Sequence, residues 1–438
     1  MRSNTEPGQR MYDLAARLFP ICRSITGEGV RRTLEILGGV LAESGIELVT
    51  HEVPSGTPVF DWTVPKEWVI REAYIEDTSG RRVIDMAENN LHVMGYSMPV
   101  DRWVDLAELK EHIYTQPDQP DVIPYVTSYY KERYGFCMSE TQKNALPEGR
   151  YHMYIDSELM DGSLTYAEVV LPGAVKDEIL LTSYVCHPSM ANNECSGPAL
   201  LTELIRYVSA LDNRKYTYRF LLNPETIGAI TYLSRNYRHL KEHLKAGLVL
   251  SCVGDDGAYS LVHTRYGDTV TDKGLANILR DRQSFREYSF LYRGSDERQY
   301  NAPGIDLPVA GFCRSKYGTF PEYHTSADDM NFISPAGLQG SYEVLTQWID
   351  AMEWNERYRV TVLCEPQLGK RGLYPTVSQK GTYDAVFATV NLLAYADGRN
   401  DLFDISERIQ VPVSRLVEVV KKLRENHLLE VVDESAAF

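Results

Sequence analysis

The sequence predicts an α/β protein built on a doubly wound sheet, with a small β-rich inserted block and a C-terminal winged helix-turn-helix. Three observations carry this. From Tyr151 onward, apolar strand-like runs alternate with amphipathic helical runs, the signature of helices covering both faces of a sheet. From about Val59 to about Ser139 the texture changes to short alternating runs rich in Trp, Tyr, Pro and Val. After Cys364 the order is helix, short helix, turn, helix, strand. The expected domains are therefore 1–58 with 140–363, then 59–139, then 364–438.

The elements follow in order. Met11 to Phe19 has helical spacing, and Gly29 to Ser44 is a second amphipathic helix. "IELVTHEVP" is a strand. Within the insertion, "EWVIREAYIED" and "NNLHVMGYSMPV" alternate, and "QPDQPDVIPY" is a Pro-rich loop. "YHMYIDSEL" and "LTYAEVVLPG" are strands. "EILLTSYVCH" is a near-continuous apolar strand, as expected where both faces are covered. "GPALLTELIRYVSAL" is a helix, "YTYRFLLNPE" a strand, "TIGAITYLSRN" a helix and "AGLVLSCVGDDG" a strand. At the C-terminal end, "YDAVFATVNLLAY" and "DISERIQ" are helices, the second with Asp404 as expected N-cap. "PVSRLVEVVKKLREN" is a third, with Pro412 near its start, and "HLLEVVD" is a strand.

A chain of 438 residues exceeds one ordinary core, which agrees with several domains. With 43% hydrophobic and 24% charged residues it has an ordinary globular composition. A formal charge of −16 argues against general nucleic-acid affinity, because phosphate binding needs clustered Lys and Arg. The last helix carries Arg415, Lys421, Lys422 and Arg424, offset by Glu418 and Glu425, so an interaction or dimerisation role is expected there ahead of DNA reading. No run approaches a membrane span, and "MRSNTEPGQR" opens no signal peptide. Seven scattered cysteines without a CxxC pair fit reduced thiols in the cytoplasm.

Ligands of doubly wound sheets bind at the carboxyl ends of the strands. Three polar clusters fall at such ends: HPSMANNE, NPET and GDDG. A hydrolytic zinc site needs a few N or O ligands, an open position and a carboxylate to move a proton. His187, Glu194, Glu225 and His324 supply those chemistries from different loops. Taken singly, each has another reading. Glu225 suits a helix N-terminus, Asp296 a turn, GDDG a β-turn, Asp328 and Asp329 the start of a turn or helix, and Arg314 with Lys316 a solvated charge pair.

The ordered set "CHPSMANNECSGPALLTEL", "NPETIGAI", "GSDERQY…GIDLP" and "EYHTSADDMNFIS" resembles the sequential motifs of zinc aminopeptidases related to glutaminyl cyclase. Over nearly its full length the chain also resembles the aminopeptidase-like proteins of bacterial polysaccharide and secondary-metabolite gene clusters, through "CRSITGEGVRRTL" and "CVGDDGAYS" as well. That resemblance implies a zinc-aminopeptidase-like mixed sheet. It matches His187 and His324 to metal histidines and Glu225 to the general base. It also exposes departures: Asn193 stands where the family has a bridging Asp, Thr226 where it has a second Glu, and Ser251 or Cys252 where it has a later metal Asp. A neutral amide offsets little of the charge of two adjacent cations, so one Zn²⁺ is expected, on His187, Glu194 and His324.

The expected reaction is hydrolysis of an amide in a small aminoacyl or peptide-like substrate. Glu225 moves the proton and Tyr323 assists the oxyanion. Asn193, Asp255, Arg265, Asp296, Glu297 and Arg298 are candidates to contact substrate. Two alternatives stand: a catalytically silent scaffold using its winged helix for contacts, and a cyclising aminoacyltransferase. Homo-oligomerisation would use the insertion or the winged helix.

Overall fold

The computed structural model of the chain describes residues 6–374 and 382–432. Met1 to Thr5 of the N-terminal stretch and Asp433 of the last expected strand lie outside the described residues. Two units emerge, residues 1–267 with 286–342, and residues 268–285 with 343–438.

In the first unit, α1 (Pro7–Leu18) and α2 (Glu28–Ala42) precede β1 (Val49–Pro54). β2 (Glu67–Asp77), β3 (Arg82–Asp85) and β4 (Val100–Asp105) follow, then β5 (Arg150–Met160), β6 (Ser163–Leu171) and β7 (Glu178–Tyr184). Next come α3 (Ser196–Ser209), β8 (Thr217–Asn223), α4 (Ile227–His243), β9 (Leu244–Leu250), β10 (Tyr259–Val262), β11 (Phe285–Tyr288) and β12 (Val309–Cys313). Eight strands form one sheet in the order β1-β6-β8-β7-β9-β12-β10-β11. β7 runs parallel to β8 and β9, and β9 parallel to β12, while β1, β6 and β10 pair antiparallel. The sheet is therefore mixed, as expected. All seven residues of β7 are buried, which explains its unbroken apolar run. Side chains such as Leu180 and Leu181 each contribute roughly 1.5–3 kcal/mol by leaving water.

A second, antiparallel sheet has the order β3-β2-β5-β4. β5 leaves it at Met160, and after two intervening residues β6 begins in the large sheet. The connection is tight: a Cβ at Gly162 would come 2.3 Å from Glu67 Oε2, so only glycine fits there.

The second unit holds α5 (Val270–Leu279), β13 (Tyr358–Val360), α6 (Thr382–Tyr395), α7 (Leu402–Ile409), α8 (Val413–Glu425) and β14 (Leu429–Val431). β13 pairs antiparallel with β14, so this unit draws in residues before Cys364. The N-cap of α7 is Asp401 rather than Asp404. Asp401 accepts the Asp404 N–H at 2.8 Å, and Asp404 returns the bond from the third helical position. On α8, Lys421 pairs with Glu418 at 2.8 Å, and Lys421 and Arg424 lie 5.4 and 5.9 Å from the Trp354 ring.

Arg314 and Lys316, expected in solvent, are buried. Arg314 donates to the carbonyls of Ala258 and Gly337 at 2.9 Å and lies over the Tyr259 ring. Among the described residues no helix is long and apolar enough to cross a membrane.

Candidate metal centre

β7 ends at Tyr184, and Val185, Cys186 and His187 continue past the sheet edge. Pro188 and Ser189 turn the chain, Ser189 at φ +44°. A wide helical turn, Ala191–Cys195, then leads into α3. Asp328 organises this turn: its main-chain oxygen accepts the Ala191 N–H, and its carboxylate accepts those of Asn192 at 2.6 Å and Asn193 at 2.9 Å. Burial pushes the Asp328 carboxyl up to about 7, against the pull of those N–H donors. Asn192 ties the turn to the next strand end, donating to Asp255 at 2.9 Å and accepting from the Gly254 N–H at 2.8 Å.

The ring of His187 has two different sides. Nδ1 lies 2.9 Å from Glu194 Oε2, which also accepts the His187 main-chain N–H at 2.9 Å. Behind Glu194 sits the buried guanidinium of Arg23, with Nε 3.6 Å from Glu194 Oε1 and donating to the His187 carbonyl at 2.9 Å. On the other side, Nε2 lies 3.6 Å from Glu225 Oε2.

Glu225 follows the end of β8, where its N–H donates to Cys186 Sγ at 3.2 Å. The next residue, Thr226, is held at φ +63°, a strained conformation for a β-branched residue. Asp296 stabilises that turn, accepting from the Thr226 N–H at 2.7 Å and from Asn223 Nδ2 at 3.0 Å.

His324 is strained too, at φ +58°. Its carbonyl accepts the Tyr125 N–H at 2.9 Å, and the Ser326 N–H donates to the Ile123 carbonyl at 2.9 Å. The segment Ile123 to Tyr125 thus fixes the histidine loop. The Tyr125 ring centre lies 5.3 Å from that of His187 and 5.1 Å from that of His324, and the two imidazole centres are 5.4 Å apart. Tyr323 stacks on His324 at 3.9 Å.

A cleft of about 430 Å³ opens here, with His187, Cys186, Glu225, His324, Thr226 and Arg298 in its wall. Burial disfavours the charged form throughout. It raises the Glu225 carboxyl, against the attraction of His187. It pushes His324 down to about 3, helped by repulsion from His187. At His187 burial works against the imidazolium, but contacts with Cys186 and Glu194 overcome it and hold that ring well above the usual value. Burial lifts the Cys186 thiol to about 11, against the attraction of the neighbouring His187.

A metal fits this chemistry. His324 Nε2 is buried with no hydrogen-bond partner, and the ring's lowered pKa leaves it neutral with a lone pair to donate. Cys186, His187 and Glu194 also offer donor atoms within 4.8 Å of one another. Their shared side is the Nδ1 side, where Arg23 already stands 3.6 Å from Glu194. A cation there would face a buried guanidinium, whereas the cleft side faces Glu225.

The predicted residues therefore separate. His187, Glu225, His324 and Arg298 meet at the cleft, with Tyr323 against His324. Glu194, expected on the metal, sits behind His187 and orients it. Asn193, Asp255 and Arg265, expected at the substrate, lie outside the cleft wall. Asn193 Oδ1 accepts from the Tyr184 hydroxyl at 3.2 Å. Asp255 accepts from the Ser315 N–H at 3.0 Å and its hydroxyl at 2.7 Å. Arg265 pairs with Asp306. Asp296 is spent on the Thr226 turn, and Glu297 accepts from the Gly294 N–H and from the Tyr317 hydroxyl. Sequence reading missed Arg23, Tyr125 and Asp328 as organisers. Arg23 and Asp328 lay within the quoted motifs, but Tyr125 had no signal beyond its Pro-rich loop.

Comparison with known proteins agrees with this architecture. A family model described as "Domain of unknown function (DUF4910)" matches residues 12–355, and one described as "winged helix-turn-helix" matches residues 356–431. A curated relative from Clostridium acetobutylicum is 46% identical over 437 residues, covering 99% of this chain and 98% of its own. Its name assigns it provisionally to polysaccharide biosynthesis, with an aminopeptidase-like domain. A crystal structure from the same organism, described provisionally as a peptidase, is 45% identical with a TM-score of 0.90, covering 97% of this chain and 96% of that one. BSAP, a zinc aminopeptidase from Bacillus subtilis, is 12% identical with a TM-score of 0.57 over 78% of this chain and 94% of its own, a likeness of fold.

Proposed function

The chain belongs to the DUF4910 family, and from that premise we propose that it is a metal-dependent amide hydrolase acting on a small substrate in a biosynthetic pathway. The observation that carries this reading is the open side of the His187–His324 pair: an unpartnered, neutral imidazole nitrogen beside a half-buried carboxylate in a cleft. The zinc aminopeptidase fold and the curated relative's name for polysaccharide biosynthesis support it.

One Zn²⁺ per chain would be held by His187 Nε2, displacing the proton that the metal-free ring retains, and by His324 Nε2, with Glu194 fixing the His187 ring from behind. When bound, zinc supplies a Lewis acid and lowers the pKa of water. Glu225, raised by burial, is suited to take a proton from the attacking water and pass it to the leaving nitrogen as the C–N bond breaks. Tyr323, half-buried and stacked on His324, is placed to assist the carbonyl oxygen as it gains charge. All seven cysteines are unpaired, which supports a reducing compartment such as the cytoplasm.

The test is metal content with turnover. Wild type should carry one zinc, and His324→Ala none. Glu225→Gln should keep zinc while losing about 10²–10⁴-fold in turnover. Full activity in Glu225→Gln would refute the base assignment, and loss of zinc there would make Glu225 a ligand. A second reading, a catalytically silent scaffold, is favoured by two side chains. Asn193 is engaged by Tyr184, and Thr226 by Arg298, so neither adds a ligand where the resemblance to zinc aminopeptidases places carboxylates. Absence of metal from wild type after zinc is added back would select it.

A further inference from the structure

Beyond the metal side of the cleft lies a second set of features that hydrolysis alone does not require. Arg298 stands in the cleft wall, in the short helix Glu297–Tyr300. Its Nη2 donates to Thr226 Oγ1 at 2.5 Å, and its Nε is buried with no hydrogen-bond partner. Among the described residues no ion pair joins it to a carboxylate. Asp296 and Glu225 both feel its charge, yet the hydrogen bonds of Asp296 go to the N–H of Thr226 and to Asn223, not to the guanidinium. Thr226, whose hydroxyl accepts the Arg298 bond, is the residue held at φ +63°. A buried guanidinium N–H without an acceptor costs free energy that an incoming oxyanion would recover.

At the mouth of the same cleft, Trp62 and Tyr130 meet edge to face with ring centres 5.8 Å apart. They remain 42% and 53% exposed, although large aromatic side chains usually find cover. Tyr129 lies in the same wall. Tyr and Trp faces of this kind present a flat apolar surface with polar edges. The C–H face of a pyranose ring matches such a surface, while its hydroxyls stay in water. A volume of about 430 Å³ lies within the range of small-molecule sites.

We infer that the cleft is built for an N-acylated amino sugar bearing an oxyanion, with the sugar ring on Trp62 and Tyr130 and the anionic group on Arg298. This inference rests on the amide-hydrolase reading for the fate of the acyl group, but binding itself needs no metal. The experiment is calorimetric titration of the full chain, metal-free and zinc-loaded, with three probes: N-acetylneuraminic acid for a carboxylate, N-acetylglucosamine 6-phosphate for a phosphate ester, and neutral N-acetylglucosamine. At least one acidic probe should bind tenfold or more tighter than the neutral one, and whichever does so identifies the anion. Arg298→Gln should erase that preference and Arg298→Lys restore part of it. Trp62→Ala should weaken all three probes alike. Equal binding of neutral and acidic sugars, no binding of any probe, or an unchanged preference in Arg298→Gln would overturn the inference. So would tighter binding of an N-acetyl dipeptide with a free carboxylate. Binding without zinc or turnover would leave this subsite standing and sink the hydrolase alone.

Discussion

The two sides of His187 are built on opposite terms. Behind the ring, Nδ1 and the main-chain N–H share one Glu194 oxygen, Arg23 binds the His187 carbonyl, and Asp328 holds the turn that carries Glu194. In front, Nε2 faces Glu225 at 3.6 Å, and the neighbouring His324 nitrogen has no partner. The back holds the ring in place; the front keeps polar groups unspent for something that binds. Functional sites are held in this way, with the orienting bonds satisfied and the reacting atoms left open.

Three changes would break or sharpen that contrast. The largest effect is expected at Arg23. Replacing it by Leu removes the buried guanidinium beside Glu194, leaving His187 as the carboxylate's remaining partner, and should cost about 3 kcal/mol of stability, measured by urea unfolding. A cost under 1 kcal/mol would mean that the back of the site does not depend on this charge. Next comes Glu194→Gln. An orienting carboxylate should cost 10–100-fold in zinc affinity, measured with a competing chelator. Total loss of zinc would instead make Glu194 a direct ligand and move the ion behind the ring.

The smallest effect concerns pH. His324 is pushed down to about 3, while an unfolded histidine titrates near 6.5. Between those values the unfolded chain binds the extra proton, so acid drains stability from the folded, metal-free protein. The stability of wild type relative to His324→Gln should therefore fall as pH drops from about 7 to about 4.5. A constant difference across that range would place His324 in a wetter site than its burial implies.

Much of the fold was legible because each element's own residues specify it. The seven buried positions of β7 read as a strand, and the periodicity of α3 and α4 read as helices. The clusters at the ends of β7 and β8, with His324, were legible as one site by their order along the chain. What each residue does there was harder to read. Glu194 is the obvious ligand by type and spacing, yet it meets Nδ1 and not the cleft. Asp401 and Asp404 are both capping residues by type, and only the entry angle of α7 decides which leads. Arg314 and Lys316 read as surface charges because local sequence carries no measure of burial.

The sequence by itself determined the strand–helix alternation, the polar strand ends and the residue types a metal hydrolase needs, because those depend on neighbours a few positions apart. Only the tertiary structure decided which side of His187 is open, that Tyr125 and Asp328 brace it from more than 60 and 130 residues away, and that Arg298 keeps a free donor in the cleft. Burial and direction are set by contacts between distant segments, and in a desolvated site they decide which polar atoms are spent and which remain to bind.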